Sequence, residues 1–221
     1  MKDGRLSCSL MKLILTIFII FWAANVSAQS SRYELDGDTL NFDMTIEKPG
    51  HEFTGQLEMY DEMWIRWHIE NHLKIETLRL TGPGGVMLAA RQLANMLSEY
   101  EINTVAYGEC ESACSALFIG GKTRTLEEGA KLGFHQTRLD KKDAMRDYER
   151  YKERKGWEDA FDYFIWATDD FTRQKIDDIK FMEKQGVSSD FILKIFSTKN
   201  TDMWRPTREE LLAGGVITEE F

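Results

Sequence analysis

The middle of the chain alternates between short strand-like runs and helix-like apolar stripes, and glycine marks the change-overs. Residues 75–80 (IETLRL) end abruptly at Thr81-Gly82-Pro83-Gly84-Gly85. From there Val86, Ala89, Ala90, Leu93 and Leu97 recur at helical spacing, a stripe that faces a core. Residues 102–107 (INTVAY) form the next strand, Gly108 breaks it, and residues 112–119 read as a short apolar helix stopped by Gly120-Gly121. A further strand is expected over 131–135. The order strand, helix, strand, helix, strand predicts an α/β fold with parallel strands and right-handed crossovers.

The flanks read less sharply. Residues 33–53 are expected to be a strand region, because 40–46 alternate apolar and polar, with Pro49-Gly50 as a break and a second short strand over 53–57. Residues 58–73 form an imperfectly amphipathic helix. From 140 to 185 the chain is highly charged, aromatic-rich and helical, interrupted at Gly156. Tyr148, Tyr151, Trp157, Phe161, Phe164 and Ile165 can share one face there, either packed on the domain or serving as a lid or an interface between copies. Helices follow over 188–195 and over 207–213, the latter with Thr207 and Glu210 at capping-box spacing, before a short strand at Val216-Ile217.

A net charge of −9 gives no basic footprint for nucleic acid, whose phosphates demand one. The first residues have the three parts of a secretory leader. Lys2, Arg5 and Lys12 precede an uncharged apolar stretch over 13–24, and Val26-Ser27-Ala28 offers small residues where a signal peptidase reads. The expectation is a signal peptide over 1–28, a single domain over 29–221, and export to a periplasmic or extracellular location. About twelve apolar residues fall short of the roughly 20 that span a bilayer, although an uncleaved, membrane-anchored form is the alternative. Either Met1 or Met11 can be the start. Loss of residues 1–28 removes three basic and one acidic residue and takes the net charge from −9 to −11.

Cys8 falls in the leader, which leaves Cys110 and Cys114. In an oxidising compartment that pair is a disulfide candidate; the alternative is two small buried packing residues. The four His are scattered, with no spacing that suits zinc, and no metal or other cofactor is expected.

Three segments can carry chemistry together. Gly82-Pro83-Gly84-Gly85 is a strand-to-helix turn that can serve as half of an oxyanion hole, or simply pack tightly. Gly108-Glu109-Cys110-Glu111-Ser112-Ala113-Cys114 places Ser112 at a second strand-to-helix junction, as an exposed nucleophile or as a helix cap. Leu132-Gly133-Phe134-His135-Gln136 ends an apolar strand on a His that can act as general base or be structural.

The run GPGGV, a helix, a strand, GECESAC and then LGFHQ resembles the proteolytic subunit of Clp protease and its exported relatives. The tail segment EELLAGGVI is similar to that family's closing helix-Gly-strand. The resemblance covers about residues 75–217. It implies the Clp-protease/crotonase fold of repeated β-β-α units, with a long helical segment after the His strand. It implies serine peptidase activity with Ser112 as nucleophile, His135 as base, the N–H groups of Gly85 and Ala113 as oxyanion hole, and Asp202 as third triad member. Peptide or protein substrates and a homo-oligomer come with it. Cys110 and Cys114, which flank the serine, depart from the family pattern. So does the leader, since an exported protein lacks an ATP supply and no ATPase partner is expected. Alternatives are a crotonase-like acyl-thioester enzyme, a Ser/Lys dyad using Lys122 or Lys131, and a silent scaffold that keeps the fold.

Overall fold

The structure, a computed structural model, describes residues 31–47, 55–71, 74–137 and 139–218. The leader and the expected strand start at Phe53 lie outside these residues. The body that begins at Arg32 is a mixed α/β domain with a mostly parallel sheet. It opens with the antiparallel pair β1 (Tyr33–Asp36) and β2 (Thr39–Asp43), so the single strand region expected here is two strands joined by a tight turn. Helix α1 (Met59–Asn71), strand β3 (Thr77–Gly82), helix α2 (Met87–Glu99) and strand β4 (Asn103–Glu111) follow. Then come helix α3 (Ala113–Phe118), β5 (Arg124–Leu126), β6 (Lys131–Gly133), α4 (Lys141–Lys155), α5 (Ala160–Lys184), α6 (Ser189–Ser197) and α7 (Arg208–Ala213).

The sheet order is β1-β2-β3-β4-β5, and every pairing from β2 onward is parallel. Its register explains the period-two pattern. Phe42, Leu80, Ala106 and Leu126 form one buried row across four strands, and Leu40, Leu78, Thr104 and Arg124 form the next. The polar members of that second row are satisfied. Thr104 donates to Phe118 O at 2.8 Å, and the Arg124 guanidinium donates to the carbonyls of Gly121, Gln185, Gly215 and Val216. Burial with no acidic partner holds the Arg124 guanidinium below its ordinary range. The strand expected at Val216-Ile217 is absent; the carbonyls of Gly215 and Val216 accept from Arg124 there instead. β5 escapes sequence reading because it is three residues long and opens on an arginine.

Helix α2 buries Ala89, Ala90, Leu93 and Leu97 of the stripe read from the sequence, and Ala94 and Met96 beside them. Val86 is not part of it and instead sits at the N-cap. Gly156 ends α4, and Asp159 caps α5, as the interrupted charged segment suggests. The aromatic face expected there divides. Tyr148, Trp157 and Tyr163 pack together between the two helices, while Phe161, Phe164 and Ile165 are exposed. Among the described residues no helix is long and apolar enough to cross a membrane.

One buried ion pair anchors the start of the domain. Arg32 forms two hydrogen bonds to the Asp61 carboxylate, at 2.9 and 2.7 Å, and also donates to the carbonyls of Met44, Ile46 and Gln56. Asp61 in turn accepts from the Tyr33 hydroxyl and from Glu58 N–H. The chain entering β1, the end of the hairpin and the first turn of α1 therefore share one charge network.

Candidate active site

β4 is the longest strand because it serves two neighbours. Its first half pairs with β5, and beyond the break at Gly108 its second half pairs with β6. The register with β3 shifts between Leu80 and Gly82, and Thr81 Oγ1 donates to Glu109 O at 3.0 Å across the irregularity. Such bulges re-aim the residues that follow them. Here they deliver Glu111 and Ser112 to the end of the sheet.

Ser112 has φ 55° and ψ −119°, a left-handed conformation that costs a non-glycine residue about 1–3 kcal/mol. It sits at the N-cap position of α3, yet its side chain makes no capping hydrogen bond. Its Oγ lies 2.8 Å from His135 Nε2 instead. The backbone fixes both partners. Ser112 N–H donates to Gly133 O, Phe134 exchanges both backbone hydrogen bonds with Trp204, and Gln136 N–H donates to Thr198 O. The two residues that flank His135 are thus each tied to a different segment.

The imidazole's other nitrogen decides its tautomer. His135 Nδ1 is 2.9 Å from the carbonyl oxygen of Gln136. A carbonyl can only accept, so Nδ1 carries the proton and Nε2 presents its lone pair to the serine hydroxyl. That is the arrangement a general base needs before it takes a proton from Ser112.

Leu57 N–H donates to Gly84 O and Val86 N–H donates to Leu57 O, a parallel bridge that uses the residues on either side of Gly85. Parallel pairing leaves the N–H of Gly85 itself on the edge away from Leu57. Ala113 N–H is the first amide of α3, one residue past Ser112. Gly84 packs directly on this turn. A Cβ there would lie 2.6 Å from Glu111 O, 2.7 Å from Ala113 N and 2.9 Å from Ser112 Cβ, at a φ of +94°. Gly84→Ala should therefore displace the serine turn. The expected outcome is a fall of about 10²-fold in Ser112 acylation, the scale of an ångström-level misplacement. Circular dichroism on the same sample separates this from unfolding.

The structure brings Ser112 and His135 together, and it packs Gly84, the residue before Gly85, against the Ser112–Ala113 turn. It does not bring Asp202 to them. That residue is exposed, its carboxylate accepts from the neighbouring Thr201 hydroxyl, and no ion pair joins it to His135. The imidazole is oriented by a backbone carbonyl where the sequence reading expects a carboxylate. Asp202→Asn should leave turnover at the wild-type level. A loss of orders of magnitude would show that the segment around Asp202 closes on His135 during the reaction. The lysines of the dyad alternative lie elsewhere: Lys122 pairs with Glu101, and Lys131 is exposed at the start of β6. Ser115 is fully buried with its hydroxyl within hydrogen-bond distance of Cys110 O and Gly133 O, which pins the ends of β4 and β6 to α3.

A cavity of about 70 Å³ opens beside Ser112 and His135. Met87, Ala116, Ile119, Phe134, Met182 and Ile195 are among the side chains that make most of its wall apolar. At one end Arg91 makes two hydrogen bonds to Asp178, at 2.6 and 2.8 Å, and a third to Gln174. Past Met87, Arg91 and Thr137 a second cavity of about 250 Å³ follows, lined by Asp147, Asp170, Tyr163 and Trp166 among others. Burial, helped by the charges of Asp147, Asp143 and Asp170, pushes the Tyr163 phenol above its ordinary range. Sequence reasoning misses these walls because α5 and α6 contribute single side chains from one face of each helix, with no motif to mark them. Among the described residues no three His, Cys, Asp or Glu side chains group as a metal site requires.

No protein-family model matches this chain, and no curated protein matches it either.

Proposed function

We propose that the chain is an exported serine peptidase of the Clp-protease proteolytic-subunit kind, with the Clp-protease/crotonase fold and no ATPase partner. One observation carries the reading: Ser112 Oγ at 2.8 Å from His135 Nε2, with Nδ1 facing a carbonyl. A serine hydroxyl is nearly inert at neutral pH, and an imidazole lone pair at hydrogen-bond distance is what makes it a nucleophile. In the reaction Oγ attacks the carbonyl carbon of the scissile bond as its proton passes to Nε2. The N–H groups of Gly85 and Ala113 receive the negative charge that develops on the carbonyl oxygen. The imidazolium returns its proton to the leaving amine, and water then hydrolyses the acyl-serine by the same steps.

The cavity supports a substrate class. Apolar cavities of roughly 150 Å³ accept benzene. One of about half that volume suits an aliphatic side chain next to the cleaved bond. Exposed Phe161, Phe164 and Ile165 support association of copies. An acyl-thioester enzyme would share the backbone donors but has no use for a serine held on a histidine.

A fluorophosphonate probe tests the reading. Treatment of residues 29–221 should leave an adduct on Ser112, identified by mass spectrometry of the digest. Folded protein that resists every serine-directed probe and cleaves no peptide or ester would make the chain a silent scaffold.

A further inference from the structure

The Cys110–Cys114 disulfide encloses the nucleophile. Cys110 belongs to β4, where Gly82 pairs with it on one side and Leu132 on the other, so the sheet fixes that end. Cys114 lies in the first turn of α3. Their Cα atoms are 5.2 Å apart, and neither residue is exposed. The four-residue spacing alone suggests a helical turn, but the bond in fact joins a strand to a helix.

Only Glu111, Ser112 and Ala113 lie between the two cysteines, and Ser112 is one of two described non-glycine residues with positive φ. Backbone held in so sparsely populated a region persists only where its surroundings over-determine it. The non-covalent restraints include the Ser112 N–H bond to Gly133 O, the Ala116 N–H bond to Ser112 O, the Arg205 pair with Glu111, the Ser115 hydroxyl on Cys110 O, and the bare Gly84 surface. The disulfide is the covalent one. The stabilisation a cross-link gives by constraining the unfolded chain grows with the size of the ring it closes. A link between residues four apart is therefore poorly placed for global stability and well placed for a local restraint.

We infer that the Cys110–Cys114 disulfide is a positioning device for the nucleophile. It holds the Ser112 backbone in the conformation that keeps Oγ on His135 Nε2 and Ala113 N–H beside it. This rests on Ser112 being the nucleophile. It has a consequence for timing. The serine becomes competent when Cys110 and Cys114 pass two electrons and two protons to a disulfide donor, which is reduced to two thiols. Oxidising compartments supply such donors and the reducing cytoplasm does not, so competence follows export.

The experiment compares the oxidised protein with two forms that lack the bond. One is Cys110→Ala/Cys114→Ala. The other is wild type unfolded and refolded in dithiothreitol, with a parallel portion refolded in oxidised glutathione; thiol counts identify each state. Loss of the bond should lower the maximal rate of fluorophosphonate acylation at least tenfold and leave the probe's half-saturating concentration unchanged. Amide exchange in the 111–116 peptide should rise, and the glutathione portion should recover both properties. A purely structural bond would shift the melting temperature and leave the acylation rate of folded protein unchanged. Equal acylation and equal exchange with and without the bond would overturn the inference. If even the oxidised protein is not acylated, the nucleophile assignment fails instead, and the exchange comparison still decides whether the bond holds the turn. Should the double variant fail to fold, the two refolded portions of wild type carry the comparison.

Discussion

Ser112→Ala should reduce fluorophosphonate labelling and peptide turnover to background, and His135→Ala should slow both by about 10²–10⁴-fold, the usual contribution of a positioned general base. The two effects should not add. Without the serine there is no nucleophile for the imidazole to activate, so the double variant should match Ser112→Ala. Ser115→Ala is a different case. Its hydroxyl pins β4 and β6 to α3, so that variant should lose stability and still become labelled at Ser112. A His135→Ala protein that labels at the wild-type rate would sink the assignment of the base.

The second large effect is on stability. Asp61→Ala should cost about 3–5 kcal/mol, because it leaves the Arg32 guanidinium buried with no counter-charge. The Arg32 and Asp61 side chains are 4% and 1% exposed, so neither can turn to water for compensation. Chemical denaturation at neutral pH measures the loss, and a change under about 1 kcal/mol would contradict it. The same pair sets an acid limit. Burial opposes ionisation of Asp61, but hydrogen bonds from Arg32 and Tyr33, together with the Arg32 charge, hold its carboxyl below the ordinary range. Its contribution is therefore complete above the unfolded carboxylate value of roughly 4 and is lost as the pH falls through the lower folded value. Wild type should lose stability steeply in that acid window, whereas Asp61→Asn should lack that part of the dependence.

Much of the α/β frame was legible in the residues. The helical stripe through Ala89, Leu93 and Leu97 and the alternation around Leu40 and Phe42 are local periodicities, and each element's period names the face it buries. Gly156 and the Thr207/Glu210 capping box are likewise local, since a helix end depends on the few residues around it. The order of the three glycine- and serine-bearing turns also marked Ser112 and His135 as candidates, though not their distance.

What the chain could not disclose is whatever joins residues far apart. Nothing in the local sequence marks Arg124 as buried, yet its four carbonyl partners come from three separate segments and hold it in a core row. Asp202 stands at a plausible sequence position for a third triad member, and only the path from α6 to α7 shows that it faces solvent while Gln136 O orients His135. Cys110 and Cys114 give a spacing that fits a helical turn, but the end of β4 decides that they bridge a strand and a helix. Local sequence fixes backbone conformation over a few residues because those interactions are short-ranged. The 2.8 Å between Ser112 and His135 is set by the β4–β6 register and the Trp204 and Thr198 contacts, which exist only once the chain has folded.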